Sequence, residues 1–263
     1  MFAQLGADEF STEEQDKLAE AAKTGLWDAF SYAFFCHLRD LTLAPPEGWT
    51  VMRSDMYRDA GVETIHHTEF ETLYTAKMLT DHLPRPRGGR RSSILDIGSY
   101  KQFVVGLTAA FDVTIVDVRP SYHGFKFGEG HKMICCDAKK MPLNSNSQEC
   151  IISLCTIEHC GLGRYGDEFD LDGDIKVFDE MKRVLAPGGL LIFSTTISNS
   201  SPVLFFNAHR VYTHDLIKQF CEGLELENET FFNHVLRREC SFNEITEILG
   251  DWSLYCGTWR KPK

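Results

Sequence analysis

Three short apolar runs of the chain end at aspartates. Asp96 and Gly98 lie at the end of a run that begins at Ile94, and Asp117 and Asp137 close two later runs. Runs of this length are typical of buried strands, and a glycine lets the backbone approach a ligand because it has no Cβ. Carboxylate oxygens accept hydrogen bonds from hydroxyl and amine groups. The pattern therefore predicts a polar binding site where these strands end.

The segment between the first two aspartates predicts a helix followed by a second strand. From Phe103 to Phe111 the apolar residues recur at helical spacing, and Val113–Val116 form another apolar run. In a parallel strand-helix-strand unit, ligands bind beyond the carboxyl ends of the strands, opposite the N-terminus of the helix. An acid about 20 residues after the glycine binds ribose hydroxyls in such units. Asp117 has this position, so we expect it to contact a ribose.

Five segments, in this order and spacing, resemble the class I S-adenosylmethionine-dependent methyltransferases. They are residues 94–99, 114–117, 136–143, 153–159 and 185–194. More narrowly, residues 157–167, 172–174 and 206–212 resemble an uncharacterised, methyltransferase-like family of Caenorhabditis proteins. One departure stands out, because Ser99, Tyr100 and Lys101 follow Gly98 where the superfamily places further glycines.

The resemblance implies S-adenosyl-L-methionine as cofactor and assigns residues to it. Its amino-acid end would meet the turn after the first strand, its ribose the second strand end and its adenine the third. The residues assigned to the cofactor are Asp96, Gly98, Ser99, Asp117, Asp137, Ala138 and Thr156.

The segment after the fourth predicted strand is where donor and acceptor meet in similar enzymes. There His159 is a candidate general base, because histidine titrates near neutral pH. Tyr165 is a second catalytic candidate. Candidate substrate-binding residues are His67, Glu158, Arg164, His209 and Arg210. No metal site is expected, since the acids of residues 167–174 do not match a calcium loop and Cys155 and Cys160 do not have zinc-site spacing.

The resemblance implies an α/β fold with a Rossmann-like sheet of seven strands, the last inserted antiparallel. Beyond the first two strands, apolar spacing predicts strands at 133–136, 150–154, 190–195, 224–232 and 252–259, and helices at 11–39, 68–83, 174–185, 213–223 and 241–249. Expected N-caps are Thr68, Asp174 and Ser241, the first and last in capping boxes with Glu71 and Glu244. Residues 1–91 are expected to form a helical N-terminal extension that acts as a lid, and residues 92–263 the methyltransferase domain.

The composition argues against several classes of protein. The 263 residues have a formal net charge of −11, which is unfavourable for a nucleic-acid-binding surface. Nine cysteines, several inside apolar runs, are typical of reduced thiols rather than of a disulfide framework. No signal-peptide pattern and no apolar stretch of about 18 residues occurs. We therefore expect a soluble, cytoplasmic protein with a small-molecule substrate, and the sequence leaves its oligomeric state open.

Two functions remain open at this point. The first is methyl transfer from S-adenosylmethionine to a small molecule, with proximity and orientation as the main sources of catalysis. The second is a binding or regulatory module that keeps the fold but has lost the cofactor through its altered glycine loop. A dinucleotide oxidoreductase is disfavoured, because no Gly-x-Gly-x-x-Gly follows the first strand.

Overall fold

The computed structural model describes residues 66–83, 91–119, 131–205 and 207–263, together with Asp16. The chain divides into two compact units, Met1–Glu63 and Thr64–Lys263. The helix expected over residues 11–39 lies outside the described residues, apart from Asp16. No helix in the described part of the chain is long and apolar enough to cross a membrane.

The second unit alternates helices and strands in its first half and is richer in strands in its second. Its helices are α1 (His67–His82), α2 (Lys101–Leu107), α3 (Gly173–Val184) and α4 (His214–Phe220). Its strands are β1 (Ser93–Ile97), β2 (Asp112–Asp117), β3 (His131–Cys135), β4 (Gln148–Leu154), β5 (Leu185–Ile197), β6 (Val203–Phe205), β7 (His209–Val211), β8 (Glu225–Asn233), β9 (Arg238–Cys240) and β10 (Ser253–Arg260).

Eight of these strands form one sheet in the order β3-β2-β1-β4-β5-β10-β8-β9. The five strands from β3 to β5 in this order are parallel, while β10 is antiparallel to both β5 and β8, as expected for the inserted last strand. The sheet has one strand more than the seven predicted, because β9 pairs with the end of β8 as a short hairpin. From β1 the chain adds β2 and β3 on one side of the sheet and then β4 and β5 on the other. The order of the strands therefore reverses beside β1, and open α/β sheets bind ligands at such a switch point.

Both faces of the sheet are covered, which explains the continuous apolar runs. Neighbouring residues point to opposite faces, so Leu95 and Ile151 join one core cluster, whereas Ile94 and Ile152 join another. The first cluster packs against α3 and α4, and the second against α1 and α2. Full burial of an aliphatic side chain contributes about 1.5–3 kcal/mol, so these layers fix the strand ends that carry the site.

Helix α1 confirms the predicted helix but not its cap. The N-cap is His66, whose ring accepts from Thr68 N, and Glu69 completes the capping box by accepting from His66 N at 2.8 Å. Thr68 therefore lies in the first turn. Glu71 was the predicted capping partner, but its carboxyl is buried and accepts a hydrogen bond from Ser194 instead.

Of the two other predicted N-caps, Asp174 is wrong and Ser241 is confirmed. Helix α3 has Asp172 as N-cap, because the buried carboxylate of Asp174 is occupied by the Tyr212 hydroxyl, at 2.8 Å, and by Arg210. The predicted helix at 241–249 is wrong beyond its first turn. Its capping box at Ser241 forms, yet only a 3-10 turn, Phe242–Glu244, follows. Ile245 is buried, but Ile248 and Leu249 are exposed, so no burial stabilises the last turns of a helix here.

Candidate active site

A cavity of about 810 Å³ lies at the carboxyl ends of β1 to β4. Its wall follows the segments after these strands, residues 97–102, 116–119, 136–138, 154–156 and 159–161, and helix α1 contributes His67, Thr68 and Glu71. Nine residues assigned from the sequence line it, namely His67, Gly98, Ser99, Asp117, Asp137, Ala138, Thr156, His159 and Tyr165. Its volume is in the usual range for sites that enclose cofactors or small molecules.

Gly98 makes the sharp turn between β1 and α2. Its φ is +68°, a conformation that residues with a Cβ rarely adopt, and an added Cβ would lie 2.5 Å from Thr156 Cγ2. The Thr156 hydroxyl donates to Leu154 O at 3.0 Å, which holds the threonine against the turn. Ser99 is buried and its Oγ accepts from Leu154 N at 3.0 Å, so it ties β1 to β4. These three residues shape the cavity floor where the resemblance places the cofactor.

Asp117 ends β2 with both carboxylate oxygens occupied. Oδ1 accepts from the backbone and Nε of Arg119, each at 2.9 Å, and Oδ2 accepts from Arg119 Nη2 at 2.7 Å and pairs with Lys101 at 3.0 Å. Burial alone raises the pKa of Asp117, but Arg119 and Lys101 outweigh it and lower that pKa to about 2. A carboxylate has about four acceptor positions, and all four are used here. A ribose hydroxyl can therefore bind Asp117 only by displacing one of these donors.

Asp96 lies beneath the cavity wall, next to Gly98 in the chain. It is fully buried, and among the described residues neither of its oxygens has a hydrogen-bond partner. Burial raises the pKa of Asp96 to about 6, although Lys101, at 3.7 Å, and nearby Ser99 favour the charged form. An unsatisfied buried carboxylate costs free energy unless a ligand or water supplies a donor.

The third strand end carries Asp137 and Ala138. Asp137 Oδ1 accepts from Lys139 N at 2.9 Å, and its Oδ2 lies 3.4 Å from Lys139 Nζ. Its side chain remains 36% exposed, so part of the carboxylate can still accept a hydrogen bond from a ligand. Ala138 lines the cavity next to it and contributes a small apolar surface.

His159 and Tyr165 form the opposite wall, with their rings in edge contact at 5.6 Å. His159 Nδ1 lies against the Ala208 carbonyl, which can only accept, so Nδ1 carries the proton and Nε2 the lone pair. Burial, reinforced by Arg164, lowers the pKa of His159 to about 4 despite that hydrogen bond. The ring is therefore neutral at pH 7. Arg119 lies 5.0 Å above the Tyr165 ring and connects this wall to Asp117.

Four of the assigned substrate-binding residues lie outside the cavity lining. Arg210 is buried and donates to the carbonyls of Cys160, at 2.8 Å, and Leu171, at 2.9 Å, so it braces the backbone. Arg164 donates to Ala208 O at 3.0 Å. His209 Nε2 is buried without a hydrogen-bond partner among the described residues, and burial lowers the pKa of His209. Glu158 is the fourth residue outside the lining, and it is buried, with only 1% of its surface exposed.

The sequence reasoning gave no site role to four charged residues of the cavity wall, Lys101, Arg119, Glu71 and Asp167. Lys101 stands in the segment where the superfamily pattern has glycines, and that departure was the signal available for it. Glu71 was assigned to a cap, yet it faces the sheet four residues after His67, on the same side of α1. It is 3% exposed, and burial, partly offset by hydrogen bonds from Ser194 and Cys155, raises the pKa of Glu71 to about 7.

Comparison with solved structures places this fold among methyltransferases. The 1,6-didemethyltoxoflavin-N1-methyltransferase of Burkholderia thailandensis, solved with its substrate and S-adenosylhomocysteine, is 15% identical with a TM-score of 0.54, and the match covers 73% of this chain and 79% of that chain. The N-methyltransferase NodS of Bradyrhizobium japonicum WM9, in complex with S-adenosylhomocysteine, is 17% identical with a TM-score of 0.50, covering 75% and 89%. The [4+2]-cyclase SpnF is 13% identical with a TM-score of 0.53, covering 73% and 80%.

The sequence comparisons are sparser. A family described as Caenorhabditis protein of unknown function, DUF268, matches residues 135–239, which run from the end of β3 into β9. No curated protein matches the chain. The resemblance read from the five sequence segments is confirmed at the level of fold: the chain has the Rossmann-like α/β fold of the class I S-adenosylmethionine-dependent methyltransferases.

Proposed function

We propose that the chain is an S-adenosylmethionine-dependent methyltransferase that acts on a small-molecule acceptor. The observation that carries the proposal is the cavity of about 810 Å³ at the carboxyl ends of β1 to β4, beside the switch point of the sheet. A cavity of this size encloses a nucleoside-sized cofactor together with a small acceptor. Two of the similar structures contain S-adenosylhomocysteine.

The residues of the cavity fit such a cofactor. The turn at Gly98 would offer backbone groups to an amino-acid end, and the orphaned carboxylate of Asp96, beneath the cavity wall, would add an acceptor next to it. The partly exposed Asp137 can accept from an exocyclic amine next to the small surface of Ala138. Asp117 would receive the ribose hydroxyls once Arg119 gives up part of its contact. Lys101 would pair with the ligand's carboxylate.

S-adenosylmethionine, when bound, supplies a methyl group that its sulfonium already activates. The chain then has to orient an acceptor and exclude water. Thr156, His159 and Tyr165 line the segment after β4, and His67 lies across the cavity on α1. Because His159 is neutral at pH 7, its Nε2 lone pair can hold an acceptor N–H or O–H in place. With a pKa near 4, it is a weaker general base than the sequence led us to expect.

A second function has one specific observation in its favour. Ser99, Tyr100 and Lys101 stand where the superfamily has further glycines, and Lys101 and Arg119 already fill every acceptor position of Asp117. These features are expected of a module that has lost the cofactor, and SpnF, which has a similar fold, is a [4+2]-cyclase. On this alternative, S-adenosylmethionine and its product would not bind.

Ligand-dependent stabilisation separates the two functions. Urea unfolding of the full chain should be shifted by S-adenosylhomocysteine, with about 2.7 kcal/mol added to the free energy of unfolding at 100 times the dissociation constant. Adenosine alone, at the same concentration, is the control and should stabilise less. Labelled methyl donor then tests turnover on metabolite extracts. A midpoint that does not move with S-adenosylhomocysteine contradicts the proposed function.

A further inference from the structure

Glu71 is a buried acid in the cavity wall that the proposed cofactor contacts leave unused. It projects from α1 on the same side as His67, and both residues line the cavity, with the Glu71 carboxyl close to Cys155 at the end of β4. Its Oε2 accepts from the Ser194 hydroxyl, which in turn accepts from Cys155 N at 3.0 Å. This chain of hydrogen bonds fixes the carboxyl at the border between the cavity and β5.

Among the residues that the structure describes, no cation acts on the Glu71 carboxyl. The groups that act on its carboxyl are the Ser194 hydroxyl and the Cys155 thiol, and neither is a cation. The nearby carboxyl of Glu158, also an acid, accepts a hydrogen bond from the Thr195 hydroxyl at 3.2 Å. The two histidines of the lining, His67 and His159, are both neutral at pH 7, because burial lowers each pKa to about 4. Within the described residues, this end of the cavity is therefore acidic and uncompensated.

The other end of the cavity is different. There Lys101 lies 3.7 Å from Asp96 and 3.0 Å from Asp117, and Arg119 also pairs with Asp117, so cations already face both acids. A buried carboxylate without a counter-charge is costly, whereas an ammonium from a ligand would offset that cost and gain charge-assisted hydrogen bonds. The charge distribution thus distinguishes an acceptor end that favours cations from a cofactor end that is already neutralised.

We propose that the methyl acceptor is an amine, which enters the cavity as an ammonium ion and pairs with Glu71. This inference rests on the proposed function and names its acceptor class. The carboxylate of Glu71 binds the ammonium and then takes one proton from it, because a buried pair is favoured in its neutral form. The amine nitrogen keeps the electron pair and becomes the nucleophile.

The methyl transfer that follows conserves atoms and charge. The nitrogen pair forms the new N–C bond while the methyl–sulfur bond of the sulfonium breaks, and the bonding electrons stay on sulfur. The products are an N-methylated ammonium ion and a neutral thioether. Glu71 releases its proton to solvent and returns to the carboxylate. Neutral His159, with its lone pair on Nε2, can accept the remaining N–H and orient the nitrogen.

Matched pairs of amines and alcohols test the proposal. The probes are butylamine with butanol, benzylamine with benzyl alcohol and phenethylamine with phenethyl alcohol, each titrated into the full chain saturated with S-adenosylhomocysteine. Ligand-observed NMR reports the affinity. In the wild type we expect at least one amine to bind about tenfold more tightly than its alcohol. If no amine binds more tightly than its partner, the proposal is overturned.

Three variants separate charge from structure. Glu71→Gln keeps an acceptor for Ser194 and should abolish the preference for amines without changing the affinity for S-adenosylhomocysteine. Ser194→Ala removes the hydrogen bond but keeps the carboxyl, so it should retain the preference. Asp81→Asn removes an exposed acid from the same helix and should change nothing. A preference for amines that survives in Glu71→Gln refutes the role of Glu71. Failure of S-adenosylhomocysteine to bind the wild type refutes the proposed function instead.

Discussion

Glu158 gives the sharpest prediction about stability, because its carboxyl is almost fully buried and no cation of the described residues shifts its pKa. Burial is the main cause of its raised pKa, with repulsion from Glu71 adding to it, and hydrogen bonds from its own backbone, Thr195 and Cys155 oppose the rise. Together they take the pKa of Glu158 from 4.5 to about 8. Glu158→Gln removes the titration but keeps an oxygen that can accept from Thr195.

The sign follows from the two pKa values. Below pH 4.5 the carboxyl is protonated in both the folded and the unfolded chain, so its contribution to stability is complete. Between pH 4.5 and 8 the unfolded chain releases the proton while the folded chain retains it, and stability falls as the pH rises. Since one pKa unit corresponds to about 1.4 kcal/mol, the loss over this window is on the order of 4 kcal/mol. Glu71 titrates in the same range and interacts with Glu158, so the two define one joint transition.

Urea unfolding of wild type and Glu158→Gln at pH 5, 6, 7 and 8 measures the effect. The two proteins should differ by no more than about 1 kcal/mol at pH 5, and the variant should gain on the wild type by about 3 kcal/mol by pH 8. Glu168→Gln, an exposed glutamate, is the matched control and should stay parallel to the wild type. If Glu158→Gln is also parallel to the wild type from pH 5 to 8, the carboxyl is not buried as a neutral acid and the reasoning fails.

Three further substitutions test the contacts around the site. Gly98→Ala should destabilise the fold by about 1–3 kcal/mol because of its positive φ and the contact with Thr156, and Thr156→Ser should restore part of the loss in thermal unfolding. Tyr212→Phe removes a hydroxyl that donates to Asp174 at 2.8 Å and should cost about 1–3 kcal/mol in urea unfolding; an unchanged midpoint would contradict that contact. Arg119→Met frees acceptor positions for a ribose and should tighten S-adenosylhomocysteine about 3- to 10-fold by calorimetry, whereas weaker binding would make Arg119 a ligand contact.

The local patterns predicted the parallel part of the fold well. Buried runs such as Ile94–Ile97 are typical of strands in a sheet that is covered on both faces. Gly98, which follows this run, has the positive φ that its turn requires. The antiparallel direction of β10 followed from family resemblance rather than from any property of residues 252–259. Strand β9 was missed because three residues at the end of a hairpin have no periodicity of their own.

The spacing of residues in the sequence could not predict the charged contacts of the site, because tertiary packing brings their side chains together. Glu71 and Ser194 are 123 residues apart, and only the packing of α1 on β5 joins them. The capping pattern at Thr68 and Glu71 matched the sequence rule, yet burial on the sheet prevailed over capping at the helix end. From the sequence, Arg119 could be assigned only to the end of the second predicted strand. Its three hydrogen bonds to Asp117 arise because the chain turns back immediately after β2.

Calorimetric titration of S-adenosylhomocysteine into the wild type and Asp117→Asn tests the central claim most directly. The account predicts saturable one-site binding to the wild type with a dissociation constant in the low micromolar range, about −8 kcal/mol. It predicts a loss of about 1.5–3 kcal/mol in Asp117→Asn, since a charge-assisted hydrogen bond to the ribose is removed. No heat and no thermal shift with the wild type at about millimolar ligand, or equal affinity for the two proteins, would contradict it.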